Sequence, residues 1–289
     1  MNVLTRPVRQ IRIVLEMIKF EHTVFALPFT LSSALVAAGG LPEWRVTGWI
    51  LVAVVGARTA AMGFNRIADA RFDALNPRTV SRAIPSGLVS VFWASVLVVV
   101  SASLMVLAAY ELNHLAFSLS PVALAAVLGY SYSKRFTSLS HLWLGLCLGI
   151  APVGAWIAVT GTIGVPSLVL SFGVALWTAG FDIIYALQDA DFDRSHGLHS
   201  IPAWLGSRKA LALSQLSHVV MISMLVVFGL LCKLETIYYL GVACVTGFLI
   251  YEHRLVSPND ISRIDTAFFT LNGFVSLGFL AFVVLDVLL

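Results

Sequence analysis

Residues 47–77 read TGWILVAVVGARTAAMGFNRIADARFDALNP. The first half is an apolar run interrupted by a single charge, Arg58, and about 20 such residues are enough to cross hydrocarbon as a helix. The second half carries Asn65, Asp69 and Asp73 at four-residue intervals, a spacing that puts all three on one helical face. Crowded carboxylates repel each other unless a cation or a basic group sits between them. The stretch therefore predicts a membrane helix that ends in an acidic face awaiting positive charge.

The rest of the chain agrees. Of 289 residues 59% are hydrophobic and 11% charged, with a mean hydropathy of +0.92, whereas soluble domains carry roughly 25% charged residues. The fold class this implies is all-α, a polytopic membrane bundle of about nine transmembrane helices. Candidate spans fall at 23–41, 47–65, 88–109, 115–133, 142–160, 165–188, 210–232, 236–251 and 266–288. No separate soluble block interrupts them, so residues 1–289 read as one domain.

Of the 18 Lys and Arg residues, Arg45 and Lys233 lie on one side of this arrangement and Arg58 within a span; all the others gather on the opposite side. By the positive-inside rule that is an N-in, C-out orientation. Residues 1–22 place Arg9, Arg12, Glu16 and Lys19 on one helical face and Ile11, Val14, Leu15 and Ile18 on the other, the pattern of a cytoplasmic interfacial helix. The three cysteines are scattered through apolar spans, and His196 and His199 lack a second metal-ligand pair; neither a disulfide framework nor a zinc site is expected. Gly145 and Gly149 form a GxxxG, the signature of close helix contact.

A second acidic cluster stands in FDIIYALQDADFDRSHGLHSIP, residues 181–202, where Asp189 and Asp193 repeat the four-residue spacing at the end of another apolar run. A calcium loop is excluded, because its sixth and twelfth positions require Gly and Glu and the chain has Arg194 and Ser200. By topology both clusters emerge on the cytoplasmic side and can face one another. Mg²⁺ bridging to phosphate oxygens is the natural occupant, since that ion takes one or two carboxylates together with substrate phosphates. Basic groups to share a diphosphate's charge are at hand in Arg71, Arg78, Arg82 and Arg194, and in YSYSKRFT (residues 130–137) with Lys134 and Arg135. The positive-inside rule accounts for these bases equally well.

Arg58 precedes Asn65 by seven residues, and Asp182 precedes Asp189 by seven. Two turns, about 10.5 Å, thus separate each from its motif, which predicts that the two lie close together beneath the acidic site. A structural ion pair and a contact to a substrate carboxylate are both compatible with that placement.

Together these residues resemble the UbiA superfamily of intramembrane prenyltransferases, whose pattern is NxxxDxxxD followed by DxxxD on a later cytoplasmic loop. NPRTVSRAIPSG (76–87) resembles the stretch after the first motif, and Tyr130, Lys134 and Arg135 resemble a Tyr-xxx-Lys-Arg element. The resemblance implies Mg²⁺ held through a diphosphate by Asn65, Asp69, Asp73, Asp189 and Asp193, the four aspartates being catalytic. Lys134, Arg135, Tyr130 and Arg82 are then expected at the diphosphate, and Arg58 and Asp182 at the acceptor. IKFEHTVFALPF (18–29) and ALQDADFDRSHGLHSIP (186–202) are similar to the 4-hydroxybenzoate polyprenyltransferase branch, part of which acts on 1,4-dihydroxy-6-naphthoate. The implied reaction is transfer of a polyprenyl group from its diphosphate to one of these aromatic acids, in ubiquinone or menaquinone biosynthesis. The implied location is the cell inner membrane, with lipid contact and no nucleic-acid partner. One departure is that Asn65 is followed by Arg66, where many members have Asp. Other acceptors (haem, chlorophyllide) and an ion-coupled transporter remain the alternatives, although a transporter would place its acidic sites nearer the midplane.

Overall fold

The structure, a computed structural model, describes residues 12–19 and 23–289. All regular elements among them are helical. In order these are α1 (Thr23–Ala38), α2 (Trp44–Asp73), α3 (Val91–Leu112), α4 (His114–Ser133), α5 (Ser140–Thr160) and α6 (Val165–Tyr185). A 3₁₀ turn (Ala186–Asp189), α7 (Ala190–Ser195) and α8 (Ile201–Leu205) follow, then α9 (Ser207–Cys232), α10 (Thr236–Leu255), a π turn (Thr266–Leu271) and α11 (Asn272–Leu288). Each of the nine expected spans overlaps a helix, although α2 runs on to Asp73 and α11 begins only at Asn272. Seven segments are long and apolar enough to cross a membrane; Thr23–Ala38 is shorter, and Thr236–Leu255 is not among the seven.

Helices are the answer to a solvent without hydrogen bonds, because they satisfy their backbone internally. Their ends are set by local chemistry. Ser90 Oγ caps α3 by accepting from Trp93 N at 3.4 Å, and Asn113 Oδ1 caps α4 by accepting from Ala116 N at 3.0 Å. Gly161, at φ +71°, closes α5 in the left-handed conformation that glycine adopts without strain.

Packing brings the site together. A Cβ on Gly145 would overlap the Ala175 carbonyl, and one on Gly149 would lie 2.7 Å from Ser171 O, so the expected GxxxG lets α5 and α6 touch backbone to backbone. Gly56 does the same for α2 against α3, at Ser101 O. Phe25, Phe29, Trp177, Phe181, Phe268 and Phe279 form one aromatic core joining α1, α6, the π turn and α11. Ser276 Oγ donates to Val24 O at 2.8 Å, so the last helix lies against the first.

The expected interfacial helix lies partly outside the described residues. Residues 12–17 are helical, and Arg12 pairs with Glu16 at 2.7 Å on the exposed side. The apolar face is corrected in one respect: Met17 and Ile18 are buried while Leu15 is 41% exposed. The end of this segment docks on the bundle, where Arg66 Nε donates to Met17 O at 3.1 Å and Arg58 Nη2 to Lys19 O at 3.3 Å.

Candidate active site

The first acidic motif sits on a single uninterrupted helix. α2 runs 30 residues and ends at Asp73, so Asn65, Asp69 and Asp73 keep strict helical spacing. The second motif is split: Asp189 closes the 3₁₀ turn after α6, and Asp193 belongs to α7. Even so, both motifs line one cavity of about 250 Å³, and so do Arg58, Arg82, Tyr130, Lys134, Arg135 and Asp182. Of the bases offered by the sequence, Arg78 and Arg82 also face this space, whereas Arg71 and Arg194 do not.

Each of the four motif carboxylates has its own basic partner. Arg82 Nη1 donates to Asp73 Oδ1 at 2.7 Å. Lys134 Nζ is 3.6 Å from Asp193 Oδ2, and Arg135 Nη2 is 3.8 Å from Asp69 Oδ1. Arg78 forks onto Asp189, with Nε donating to Oδ1 at 3.0 Å and Nη2 to Oδ2. Burial alone pulls the Arg78 pKa down, but the hydrogen bond and charge of Asp189 outweigh it and the net shift is upward, so the guanidinium stays ionised.

Around these pairs lies a set of supports. Asn65 Nδ2 donates to Asp69 Oδ2 at 2.9 Å. Buried Asn76 reaches across to Asp189 Oδ1 at 3.3 Å. The Arg135 guanidinium donates to Ala68 O at 2.6 Å and lies over the Tyr132 ring at 4.7 Å. Arg78 donates to Tyr185 Oη at 3.2 Å, and Tyr185 stacks on Phe268 at 4.1 Å. The result is a charged rim that passes into an aromatic floor of Phe25, Phe181 and Phe268.

Within the two motifs, Asp73 Oδ2 and Asp193 Oδ2 are buried and accept no hydrogen bond, the second having only the Lys134 ammonium nearby at 3.6 Å. There is one in each motif. Among the described residues no three His, Cys, Asp or Glu side chains converge as a metal cage. Open hard oxygens without a full cage are the donor set of an ion that completes its shell with water and phosphate.

The profile of the UbiA prenyltransferase family matches residues 26–278. The chain belongs to this family. Its relatives include the 4-hydroxybenzoate octaprenyltransferase of Aliivibrio fischeri (strain ATCC 700601 / ES114), 32% identical over 254 residues that cover 87% of this chain and 88% of the relative. That of Vibrio cholerae serotype O1 (strain ATCC 39541 / Classical Ogawa 395 / O395) is 33% identical over 260 residues, covering 89% and 90%. Among solved structures, the apo form of a UbiA homologue from Aeropyrum pernix K1 superposes with a TM-score of 0.83 at 35% identity, covering 92% of this chain and 98% of that one. A UbiA homologue from Archaeoglobus fulgidus, bound to DMAPP and Mg²⁺, shares the fold with a TM-score of 0.74 at 17% identity, covering 96% and 99%.

The chain is thus a multi-pass membrane prenyltransferase, and the transporter alternative falls away. Three expectations about individual residues of this prenyltransferase need correction or refinement. Arg58 and Asp182 both line the cavity, but Asp182 takes its ion pair from His141, whose Nδ1 lies 2.6 Å from Asp182 Oδ2. Arg71 is exposed and Arg194 pairs with exposed Asp191 at 3.1 Å, so charge placement alone explains these two bases. Arg66, the departure from the family pattern, is buried and ties α2 to Met17. Sequence reasoning left Asn76, Tyr185, Phe268 and His141 unassigned. Of these only His141 carried a usable signal, an ionisable residue at the edge of an apolar span.

Proposed function

We propose that this prenyltransferase moves a polyprenyl group from a polyprenyl diphosphate to a ring carbon of an aromatic acid, 4-hydroxybenzoate first and 1,4-dihydroxy-6-naphthoate second. The observation that carries the proposal is the pairing of four carboxylates with four bases around one cavity. A diphosphate brought in with divalent metal has a use for both halves of every pair. The carboxylates take metal, and Arg78, Arg82, Lys134 and Arg135 take phosphate oxygens.

In this reading Asp73 and Asp193 offer their open oxygens to Mg²⁺, with Asp69, Asp189 and Asn65 beside them. Bound Mg²⁺ supplies Lewis-acid neutralisation of the departing diphosphate. The remaining work belongs to the chain. Its bases hold the leaving group at the rim, and the aromatic floor keeps water from the allylic carbon as its bond to oxygen breaks. Arg58 receives the acceptor carboxylate, for which its planar fork is suited. The relatives' names support 4-hydroxybenzoate as acceptor, and the gathering of Lys and Arg on the side of the bundle that holds the motifs supports a membrane location with the site towards the cytoplasm.

The test is incubation of the purified chain with farnesyl or longer diphosphates, Mg²⁺ and each aromatic acid, followed by mass analysis. The expected product is the acid carrying the donor's whole prenyl chain in place of one ring hydrogen, with one diphosphate and one proton released. Release of diphosphate without a prenylated acid overturns the acceptor assignment.

A further inference from the structure

His141 does not line the cavity itself but pairs with Asp182, which does. It stands in the first turn of α5 and is completely buried, while its partner Asp182, on α6, keeps 16% of its side chain open to the cavity. The imidazole is held from both ends. The backbone N–H of Ile201, at the start of α8, points at Nε2 from 3.2 Å. A backbone N–H can only donate, so Nε2 must present its lone pair. The ring proton then resides on Nδ1, which donates to Asp182 Oδ2 at 2.6 Å.

We propose that His141 is a positioning residue for the acceptor: it fixes the Asp182 carboxylate so that its remaining oxygen accepts the hydrogen bond of the acceptor's ring hydroxyl. This rests on the aromatic-acid reading above and adds the group that reads the hydroxyl. Three features carry it. The short bond from a fully buried donor removes the rotational freedom Asp182 would otherwise have on the cavity wall. The fixed tautomer lets the neutral ring stabilise a carboxylate without cancelling its charge. Glycine contacts at Gly145 and Gly149 lock α5 against α6, and so hold His141 and Asp182 at constant separation. A carboxylate accepting from the hydroxyl increases electron density at the neighbouring ring carbon, where the new bond forms.

A purely structural role for His141, pinning α8 through Ile201, makes the opposite prediction about two conservative variants. Asn places its amide near Nδ1 and keeps a donor for Asp182 while losing Ile201. Gln places its amide near Nε2 and keeps an acceptor for Ile201 while losing Asp182. The experiment measures kcat/KM for whichever of the two aromatic acids the wild-type chain prenylates, and KM for the prenyl diphosphate, in wild type, His141→Asn and His141→Gln. Inhibition by the same acid lacking its ring hydroxyl is measured alongside.

The expected result is that His141→Gln loses about 10- to 100-fold in acceptor kcat/KM, the worth of a hydrogen bond to a charged group. Its prenyl diphosphate KM holds, and its preference for the hydroxylated acid over the analogue collapses. His141→Asn retains most of both. Full activity in Gln with loss in Asn assigns His141 to α8 alone and overturns the proposal, as does an equal loss with preference intact in both. Nitrogen-15 shifts of the His141 ring give a readout independent of turnover: a proton on Nε2 in place of Nδ1 overturns it as well. If wild type prenylates neither acid, the acceptor assignment fails, and this inference fails with it.

Discussion

Arg78 grips Asp189 through both carboxylate oxygens, although 111 residues separate them in the chain. This pair joins the loop after α2 to the end of the 3₁₀ turn, and so closes the rim between the two acidic motifs. Lysine cannot reproduce it, because an ammonium is a point charge without a fork. Arg78→Lys is expected to raise the KM for prenyl diphosphate by about tenfold or more, with the acceptor KM little changed. Steady-state kinetics with each substrate varied in turn check this, and equal effects on both would contradict the placement of Arg78 at the donor.

Asp73 and Asp193 carry the open oxygens, and their replacement by Asn removes charge while keeping shape. Turnover in Asp73→Asn and Asp193→Asn should fall on the order of 10²-fold or more, as when a group stabilising developing charge is lost. The Mg²⁺ concentration needed for half-activity should rise. Near-wild-type rates in both Asp69→Asn and Asp189→Asn, with the protein still inserted, would sink the metal role of the motifs.

Metal removal should separate activity from fold. Because every motif carboxylate already has a base, the bundle does not depend on a cation for its charge balance. Chelation is expected to abolish turnover and leave the Tm in detergent nearly unchanged. Mg²⁺ added with a non-reactive prenyl diphosphate should then raise the Tm through preferential binding to the folded state, which adds about 2.7 kcal/mol of stability at a hundredfold excess over Kd. A Tm that drops sharply on chelation alone would show that metal is part of the fold.

Gly145→Ala drives a methyl into the Ala175 carbonyl, whereas Gly154, on the same helix, has nothing within 4 Å of an added Cβ. Overpacking of this kind costs about 1–3 kcal/mol. Gly145→Ala should lower the Tm and, by moving α5 against α6, weaken acceptor turnover; Gly154→Ala should do neither. Thermal unfolding of the two variants side by side decides it.

How far the sequence could be read follows from which interactions are local. Spans are legible because a hydrocarbon solvent demands a long apolar helix, and Asn65, Asp69 and Asp73 are legible because helical spacing is intrinsic to one strand of sequence. The same logic reaches the cavity wall but not the partners. It located Arg58 and Asp182 on the cavity wall, yet Asp182 pairs with His141 across α5 and α6, a matter of which helices touch. Asn76, Tyr185 and Phe268 were invisible for the same reason, since each acts on a group more than 80 residues away in sequence. Arg66 replaced an expected acidic residue and could be noticed but not explained until Met17 O was seen at its guanidinium.

The contact between the first and last helices bears on when, during its life, the chain becomes competent. All four motif aspartates have been synthesised by residue 193, but the cavity's floor needs Phe268 against Phe25, 5.7 Å apart between ring centres, and α11 against α1, where Phe279 stacks on Phe29 at 4.8 Å. A nascent chain emerging from the ribosome therefore owns its carboxylates before it owns a dry wall, and at that stage it has no means of sheltering a reactive allylic group from water. The arrival of the final helix in the bilayer, rather than the translation of the acidic motifs, is the moment at which this polypeptide becomes an enzyme.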